Sequence, residues 1–252
     1  MVDDSNRYGK RRDRWEAFSI VIPAHNEQSY LPQTLDSLKH AFEVLQYPGE
    51  VIVVDDDSSD DTAAFARSRD VRLVQVCLRN IGAVRNAGAA HCQTPWLFFL
   101  DADTILPART LAAALDLLAG GAVGGGAMVA IDPLSQVTAT KWLLFYTVKL
   151  VWQCIGGWAA GCFMFCERSV FEDFGGFDEA FFAAEELFFS RSVAKYGEFR
   201  VLREPVVTSA RKLESYSTLE LLRFVTLPIL RPKLFLKTKL GLELLYDDVK
   251  SR

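Results

Sequence analysis

Apolar residues follow two rhythms along this chain. Phe18 to Ile22 is a nearly continuous apolar run closed by Pro23, after which Leu31, Leu35, Leu38, Phe42 and Leu45 recur at helical spacing. The run predicts a buried strand and the spaced residues an amphipathic helix, together a β-loop-α unit. The alternation continues. Glu50 to Val54 reads as a strand, the residues after Asp60 as a helix through Ser68, and Arg72 to Val76 as a third strand. Ala83 to His91 then reads as a small-residue helix and Trp96 to Leu100 as a fourth strand. Strands that alternate with helices predict an α/β fold with a mostly parallel, Rossmann-like sheet flanked by helices.

In such sheets ligands bind beyond the carboxyl ends of the strands. Three of those ends carry polar clusters here: Ala24-His25-Asn26-Glu27, Asp55-Asp56-Asp57 and Asp101-Ala102-Asp103. Two carboxylates one residue apart at the end of a buried strand bring negative charge to the sheet edge, where a divalent cation and an anionic ligand can meet. An isolated Asp-x-Asp is a common turn; convergence of three clusters on one edge is what a nucleotide site requires.

The second half changes character. Gly120 to Gly126 is glycine-rich and leads into an expected strand, Ala127 to Ile131, where missing side chains would admit a ligand or another backbone. An aromatic-rich stretch from Trp142 to Trp158 follows, and Trp142, Trp152 and Trp158 are candidates for stacking on a sugar or lining a lipid-facing groove. Glu185 and Glu186 open a further helix with Phe189, Val193 and Tyr196 on its apolar face and Gly197 at its end.

Composition narrows the class. Half of the 252 residues are hydrophobic, enough for a sizeable core. A net charge of -4 gives no general affinity for nucleic acid. The five cysteines, Cys77, Cys92, Cys154, Cys162 and Cys166, lack paired zinc spacing, and with no secretory leader expected they are read as thiols, mostly in the core. Leu150 to Cys166 is nearly uncharged but short and interrupted by Gln153 and glycines, so a buried segment is expected, with no transmembrane helix. Leu219 to Leu240 mixes leucines with Arg223, Arg231, Lys233, Lys237 and Lys239, which suits a membrane-surface element or a helix packed on its own domain. The expected organisation is a polar N-terminal segment (1–17), one domain (18–212, its halves meeting at 104/105) and an amphipathic C-terminal tail (213–252). A cytoplasmic location, peripheral at the inner membrane face, follows from this reading.

The order of motifs resembles the inverting family 2 glycosyltransferases with their GT-A fold. The residues that carry the resemblance are Ser19 to Glu27, Val53 to Asp60, Asn80-Ile81-Gly82 with Arg85-Asn86-Ala87-Gly88, the Asp-Ala-Asp run, Gly175-Gly176-Phe177-Asp178, and Glu185-Glu186 with Arg191 and Gly197. The resemblance implies transfer of a sugar from a nucleoside diphosphate, most simply a UDP-sugar, to an acceptor hydroxyl. It implies a nucleotide-binding half (18–104) and a mixed acceptor half (105–212). Asp103 would bind Mn2+ or Mg2+ directly, and Asp101 the ribose or diphosphate side, or the metal through water, with Ala102 between them. Asp56 would accept a hydrogen bond from the base. Glu27 would lie near base and ribose, Pro23 and Ala24 would shape the wall, His25 would stack on the base or tie the loop, and Arg85 would add positive charge near the nucleotide.

Inversion by direct displacement needs one base to take the acceptor's proton. The resemblance assigns that role to Glu186, with Glu185 as the alternate, because the family more often has Asp there. A carboxylate at a helix start is expected to be held in its charged form, with lowered basicity. Arg211 and Lys212 read as a surface basic pair or as a clamp on the diphosphate. No Gln-x-x-Arg-Trp segment follows the Glu pair, which favours transfer of a single sugar over polymer synthesis. The acceptor is expected to be a saccharide or a lipid-linked molecule. A sugar nucleotidyltransferase, or a non-catalytic sugar-nucleotide or membrane-binding module, are the competing readings.

Overall fold

The computed structural model describes residues 9–132, 137–180 and 185–221. A short helix, α1 (Gly9–Arg12), precedes β1 (Phe18–Ala24), α2 (Leu31–Leu45), β2 (Glu50–Asp56), α3 (Thr62–Arg67), β3 (Arg72–Val76), α4 (Ile81–Ala89) and β4 (Trp96–Leu100). The second half adds β5 (Thr104–Ile105), α5 (Ala108–Ala119), β6 (Gly124–Ile131) and α6 (Ala139–Lys149), which runs into a π-helical turn, Leu150–Ile155. It closes with β7 (Phe163–Glu167), α7 (Arg168–Phe174), α8 (Glu185–Val193), β8 (Phe199–Thr208) and α9 (Arg211–Ser215). Among the described residues the strands form one sheet in the order β3-β2-β1-β4-β7-β6-β8-β5.

The first four strands pair in parallel and β7 runs antiparallel to both β4 and β6, which gives the mixed second half. Alternation along the strands builds two cores. Ile20, Ile22, Val53, Phe98 and Leu100 pack on the face shared by α2 and α5. Val21, Ile52, Val54, Leu97 and Phe99 pack on the other, against Val84, Phe171 and Phe189. Each such side chain removed from water stabilises the fold by about 1.5–3 kcal/mol. Trp15 is in the first core too, its indole donating to Asp116 Oδ1 at 3.0 Å, so packing begins ahead of β1.

Pro23 extends β1 instead of closing it. The ladder to β4 ends at the Val21–Phe99 pair while that to β2 continues through Ala24, so the missing N–H interrupts no bond toward β4. The glycine run enters β6 itself, and the close neighbour is protein: a Cβ on Gly125 would sit 2.3 Å from the Arg200 carbonyl oxygen.

Leu150 to Cys166 divides in two, against the expectation of a wholly buried segment. Phe163 to Cys166 is buried in β7, but Leu150, Val151 and Ile155 are exposed, as are Leu143 and Tyr146 on α6. Gln153 is the buried residue of the π-helical turn, and its amide accepts from Val129 N–H at 3.1 Å and donates to the Ala127 carbonyl at 2.9 Å. Those groups flank the register shift in the β6–β8 ladder, so the turn faces inward through one polar side chain. Of the cysteines, Cys92 and Cys166 are buried, Cys162 is partly buried, and Cys77 and Cys154 are exposed. Helix α8 ends at Val193, which leaves Tyr196 outside it and exposed. No described helix is long and apolar enough to cross a membrane. Most of the amphipathic tail, residues 222–252, lies outside the described residues.

Candidate active site

The chain passes from β1 outward to β2 and β3, then returns to β4 on the other side of β1, so the crevice for a ligand opens beyond the carboxyl ends of β1 and β4. Backbone at those ends is tightly wound. Asn26, Asp57 and Arg79, just beyond β1, β2 and β3, have φ of 54°, 57° and 51°. Asn and Asp tolerate this conformation; for Arg79 it is held by neighbours.

Those neighbours are Asp56, His25 and Asp57. The Asp56 carboxylate serves two residues of the loop after β3. Its Oδ1 accepts from Leu78 N–H at 2.7 Å and its Oδ2 from Arg79 N–H at 2.9 Å. The Asp56 carbonyl lies 2.7 Å from His25 Nδ1, and because a carbonyl only accepts, Nδ1 carries the hydrogen. His25 Nε2 then accepts from Arg79 Nη1 at 2.7 Å, while Arg79 Nη2 pairs with Asp57 at 3.1 Å. His25 therefore ties three loops together. The β1 loop is also fastened to the start of α3: Asn26 N–H donates to Ser58, Glu27 N–H to Thr62 and Gln28 N–H to Asp60.

Glu27 is buried and its carboxylate receives both terminal nitrogens of Arg211, from the N-terminus of α9. Burial raises the Glu27 pKa, opposed by Arg211 and reinforced by the nearby Asp103 and Asp101. Arg211 also lies 4.8 Å over the Tyr30 ring, and its Nε approaches Asp103 Oδ2 to 3.0 Å without the alignment of a hydrogen bond. The other ties of Asp103 come from the end of β8: Ser209 Oγ donates to Oδ2 at 2.7 Å, and Ser209 N–H to the Asp103 carbonyl at 3.1 Å. Arg211 is thus partly buried and paired across the site, unlike a free surface pair, and the carboxylates it meets are remote in sequence.

The two aspartates of the Asp-Ala-Asp run face different partners. Ala102 between them turns inward: it is buried in the first core, and its carbonyl accepts from Thr34 Oγ1 at 2.7 Å. Ala24 is likewise a core residue, and Pro23 is buried. Asp101 Oδ1 receives Arg85 Nη2 at 2.9 Å. Arg85 is 1% exposed, far from the solvated helix charge its position on α4 would suggest. The same guanidinium donates to the Gly161 carbonyl at 2.9 Å and, through Nη1, to Glu185 Oε1 at 3.0 Å. Burial alone would lower its pKa, but Asp101 and Glu185 outweigh that and hold it raised.

Glu186 is adjacent. A Cβ built on Gly161 would stand 3.9 Å from Glu185 Oε1 and 4.0 Å from Glu186 Oε2, so a residue without a side chain leaves room beside both carboxylates. Burial first, then the Glu185 charge, push the Glu186 pKa up to about 8. The expected lowering by the helix start is overturned, because desolvation and a like charge act at closer range than the dipole. Helix α8 is fixed by Phe189, stacked on Phe177 and edge-on to Phe99, and by Ser190, whose hydroxyl donates to the Glu186 carbonyl and accepts from Ala159 N–H. The Gly-Gly-Phe motif is pinned to α4: Asn86 accepts from Phe177 N–H at 2.9 Å and donates to its carbonyl at 2.8 Å. Asn86 belongs to a motif legible in the sequence, and its pairing with Phe177 appears only in three dimensions.

Asp101 and Asp103 offer hard oxygen donors, and among the described residues no group of three His, Cys, Asp or Glu side chains could hold a metal. Two carboxylates fit Mg2+ or Mn2+, which take one or two from protein and the rest from phosphates and water. A guanidinium already rests on Asp103, which shows that the position accepts a cation.

The family model described as "Glycosyl transferase family 2" matches residues 19–175. An undecaprenyl-phosphate 4-deoxy-4-formamido-L-arabinose transferase of Pseudomonas syringae pv. syringae is 40% identical over 92 residues, 34% of this chain and 27% of that protein. The chain therefore spans about a quarter of that relative's length. Among solved structures, S. aureus TarS 1-349 in complex with UDP-GlcNAc has a TM-score of 0.60 at 18% identity, over 85% of this chain and 67% of that one. The mannosyltransferase PcManGT from Pyrobaculum calidifontis, in complex with GDP-Man and Mn2+, has a TM-score of 0.58 at 22% identity, over 84% and 68%. The fold is of the GT-A type.

Proposed function

The chain belongs to glycosyl transferase family 2, and on that premise we propose that it transfers a sugar from a nucleoside diphosphate to an acceptor hydroxyl with inversion. The observation that carries this reading is the Arg85 bridge, which joins the donor-side Asp101 to the acid pair of α8 across one buried guanidinium. A diphosphate leaving group and an acceptor base are thereby held within one cluster.

In this mechanism Asp103 and Asp101 would hold Mg2+ or Mn2+, which would supply positive charge to offset that growing on the diphosphate. Asp56, with each oxygen already receiving one backbone N–H, keeps lone pairs for the edge of a uracil-type base. Glu27 and the loop tied by His25 form the nucleoside side. Arg85 orients Asp101 and Glu185 from beneath, as a positioning residue, instead of touching the nucleotide. Because Glu185 is engaged by Arg85, Glu186 is the base: it takes the acceptor hydroxyl's proton while that oxygen bonds to the anomeric carbon and the bond to the diphosphate breaks. A pKa near 8 makes its carboxylate basic enough for the task and protonated in a large share of empty molecules at neutral pH.

We assign the acceptor to the lipid-linked class. The Pseudomonas relative is named for undecaprenyl phosphate, and α6 with its π-helical turn exposes Leu143, Tyr146, Leu150, Val151 and Ile155. No acid occurs between Asp132 and Glu167, while Lys141 and Lys149 do, which suits an anionic membrane surface on the cytoplasmic side. The C-terminal tail would add basic residues to the same contact.

The test is a panel of UDP- and GDP-sugars with Mn2+ or Mg2+, measuring nucleoside diphosphate release with and without chelator. Release from one donor, lost on chelation and in Asp103→Ala, is expected; release indifferent to both would refute the metal assignment. Flotation with anionic liposomes tests the membrane contact, and absence of the intact chain from the floating fraction would count against it.

A further inference from the structure

Resting on the reading of Asp103 as a metal ligand, we infer that Arg211 is the site's own exchangeable cation, and that it restricts the site to metal and diphosphate arriving together. Arg211 joins the two carboxylates that the donor side supplies, Glu27 at the end of β1 and Asp103 after β4. Its partnership with Glu27 is bidentate and charge-assisted, whereas its approach to Asp103 is close but unaligned, so the Nε hydrogen has no acceptor. Such an arrangement anchors the side chain at one end and leaves the other end readily replaced.

Charge balance decides what can replace it. A divalent cation alone adds two positive charges beside a guanidinium already present and is opposed by it. A cation accompanied by a nucleotide sugar, whose two phosphates each carry a negative charge, adds no net charge and supplies new acceptors for Arg211. The guanidinium then turns its unaligned Nε hydrogen to the diphosphate as Asp103 takes the metal. Arg211 lies two residues after Ser209, which itself holds Asp103, so both contacts to that carboxylate come from the one turn between β8 and α9. Tyr30, under the guanidinium, offers a face on which it can slide while remaining charged.

Binding of Mn2+ alone to the full chain, followed by the electron paramagnetic resonance of the free ion, tests this. Arg211→Met is expected to bind Mn2+ about tenfold more tightly than the wild type, and Arg211→Lys, which keeps a charge, to stay near it. Equal or weaker Mn2+ binding by an Arg211→Met variant with wild-type circular dichroism would overturn the inference. A second measurement needs no folded variant: the Arg211 Nε–H resonance of the wild type, with Mg2+ alone and then with Mg2+ and UDP or GDP. It is expected to stay in place with Mg2+ and to shift once a diphosphate is present; no shift with either nucleotide overturns the inference. A shift with GDP only removes the uridine assignment and leaves the inference standing.

Discussion

Arg85 Nη1 lies 3.0 Å from Glu185 Oε1 in a pair whose guanidinium is 1% exposed, and this contact separates the roles of two adjacent glutamates. Glu185 neutralises a buried cation. Glu186, beside it and without that ion pair, carries the raised pKa that suits a base.

Glu186→Gln is expected to keep donor binding and lose transfer by roughly a hundredfold or more, the usual contribution of a positioned base. Nucleotide binding by calorimetry and product formation separate the two effects. Full transfer by this variant would move the base to Glu185.

The same group predicts the pH dependence of rate. A base must be unprotonated, so with a pKa of about 8 in the empty site the rate should climb as pH rises through that region and level off above it. A profile flat from pH 6 to 9, roughly the window set by that value, would contradict the assignment.

Stability should move in the opposite sense. The Glu186 pKa is raised on folding from 4.5 to about 8, so between those values the folded chain holds a proton that the unfolded chain has lost. The contribution is complete below the lower value and is lost as pH climbs through the upper one. Glu186→Gln, which cannot ionise, should therefore gain in Tm relative to the wild type on going from pH 5 to pH 8.5, by about 3–4 kcal/mol, or roughly ten degrees. Thermal melts at both pH values give the comparison; a constant difference would show that burial does not shift this group.

Arg85→Met should be the most damaging of these changes to the fold. It leaves the partly buried Asp101 and Glu185 without their cation, at a cost of about 2–4 kcal/mol, and Arg85→Lys recovers only part because one ammonium cannot serve three separate acceptors in a fork. Urea denaturation measures both, and an unchanged midpoint for Arg85→Met would refute the buried bridge.

Asp56→Asn tests the nucleoside side. An amide has one accepting oxygen, so either Leu78 or Arg79 N–H loses its partner, at a cost of about 1–3 kcal/mol. The donor KM should rise with kcat much less affected. A fall in kcat at unchanged KM would place Asp56 outside nucleotide binding.

Alternation of apolar and polar positions was enough to place β1 to β4 and α2 to α4, because a parallel sheet covered on both faces requires continuous apolar strands and helices with one apolar side. It also brought Glu27, Asp56 and Asp101 to the ends of strands. The second half was less legible. The π-helical turn at Leu150–Ile155 and the bulge it serves in β6 arise from one glutamine meeting two backbone groups, which no periodicity records.

What the sequence determined by itself was therefore the order of strands and helices and the carboxylates that end them, since those follow from local burial and from strand polarity. Tertiary structure alone decided which charges meet. Arg85 and Glu185 are separated by 100 positions and Arg211 and Glu27 by 184, so their pairing depends on β7 joining the sheet beside β4 and on β6 and β8 following it. It also decided the basicity of Glu186. A carboxyl's pKa is set by the water it loses and the charges around it, and both exist only once the chain has closed over it.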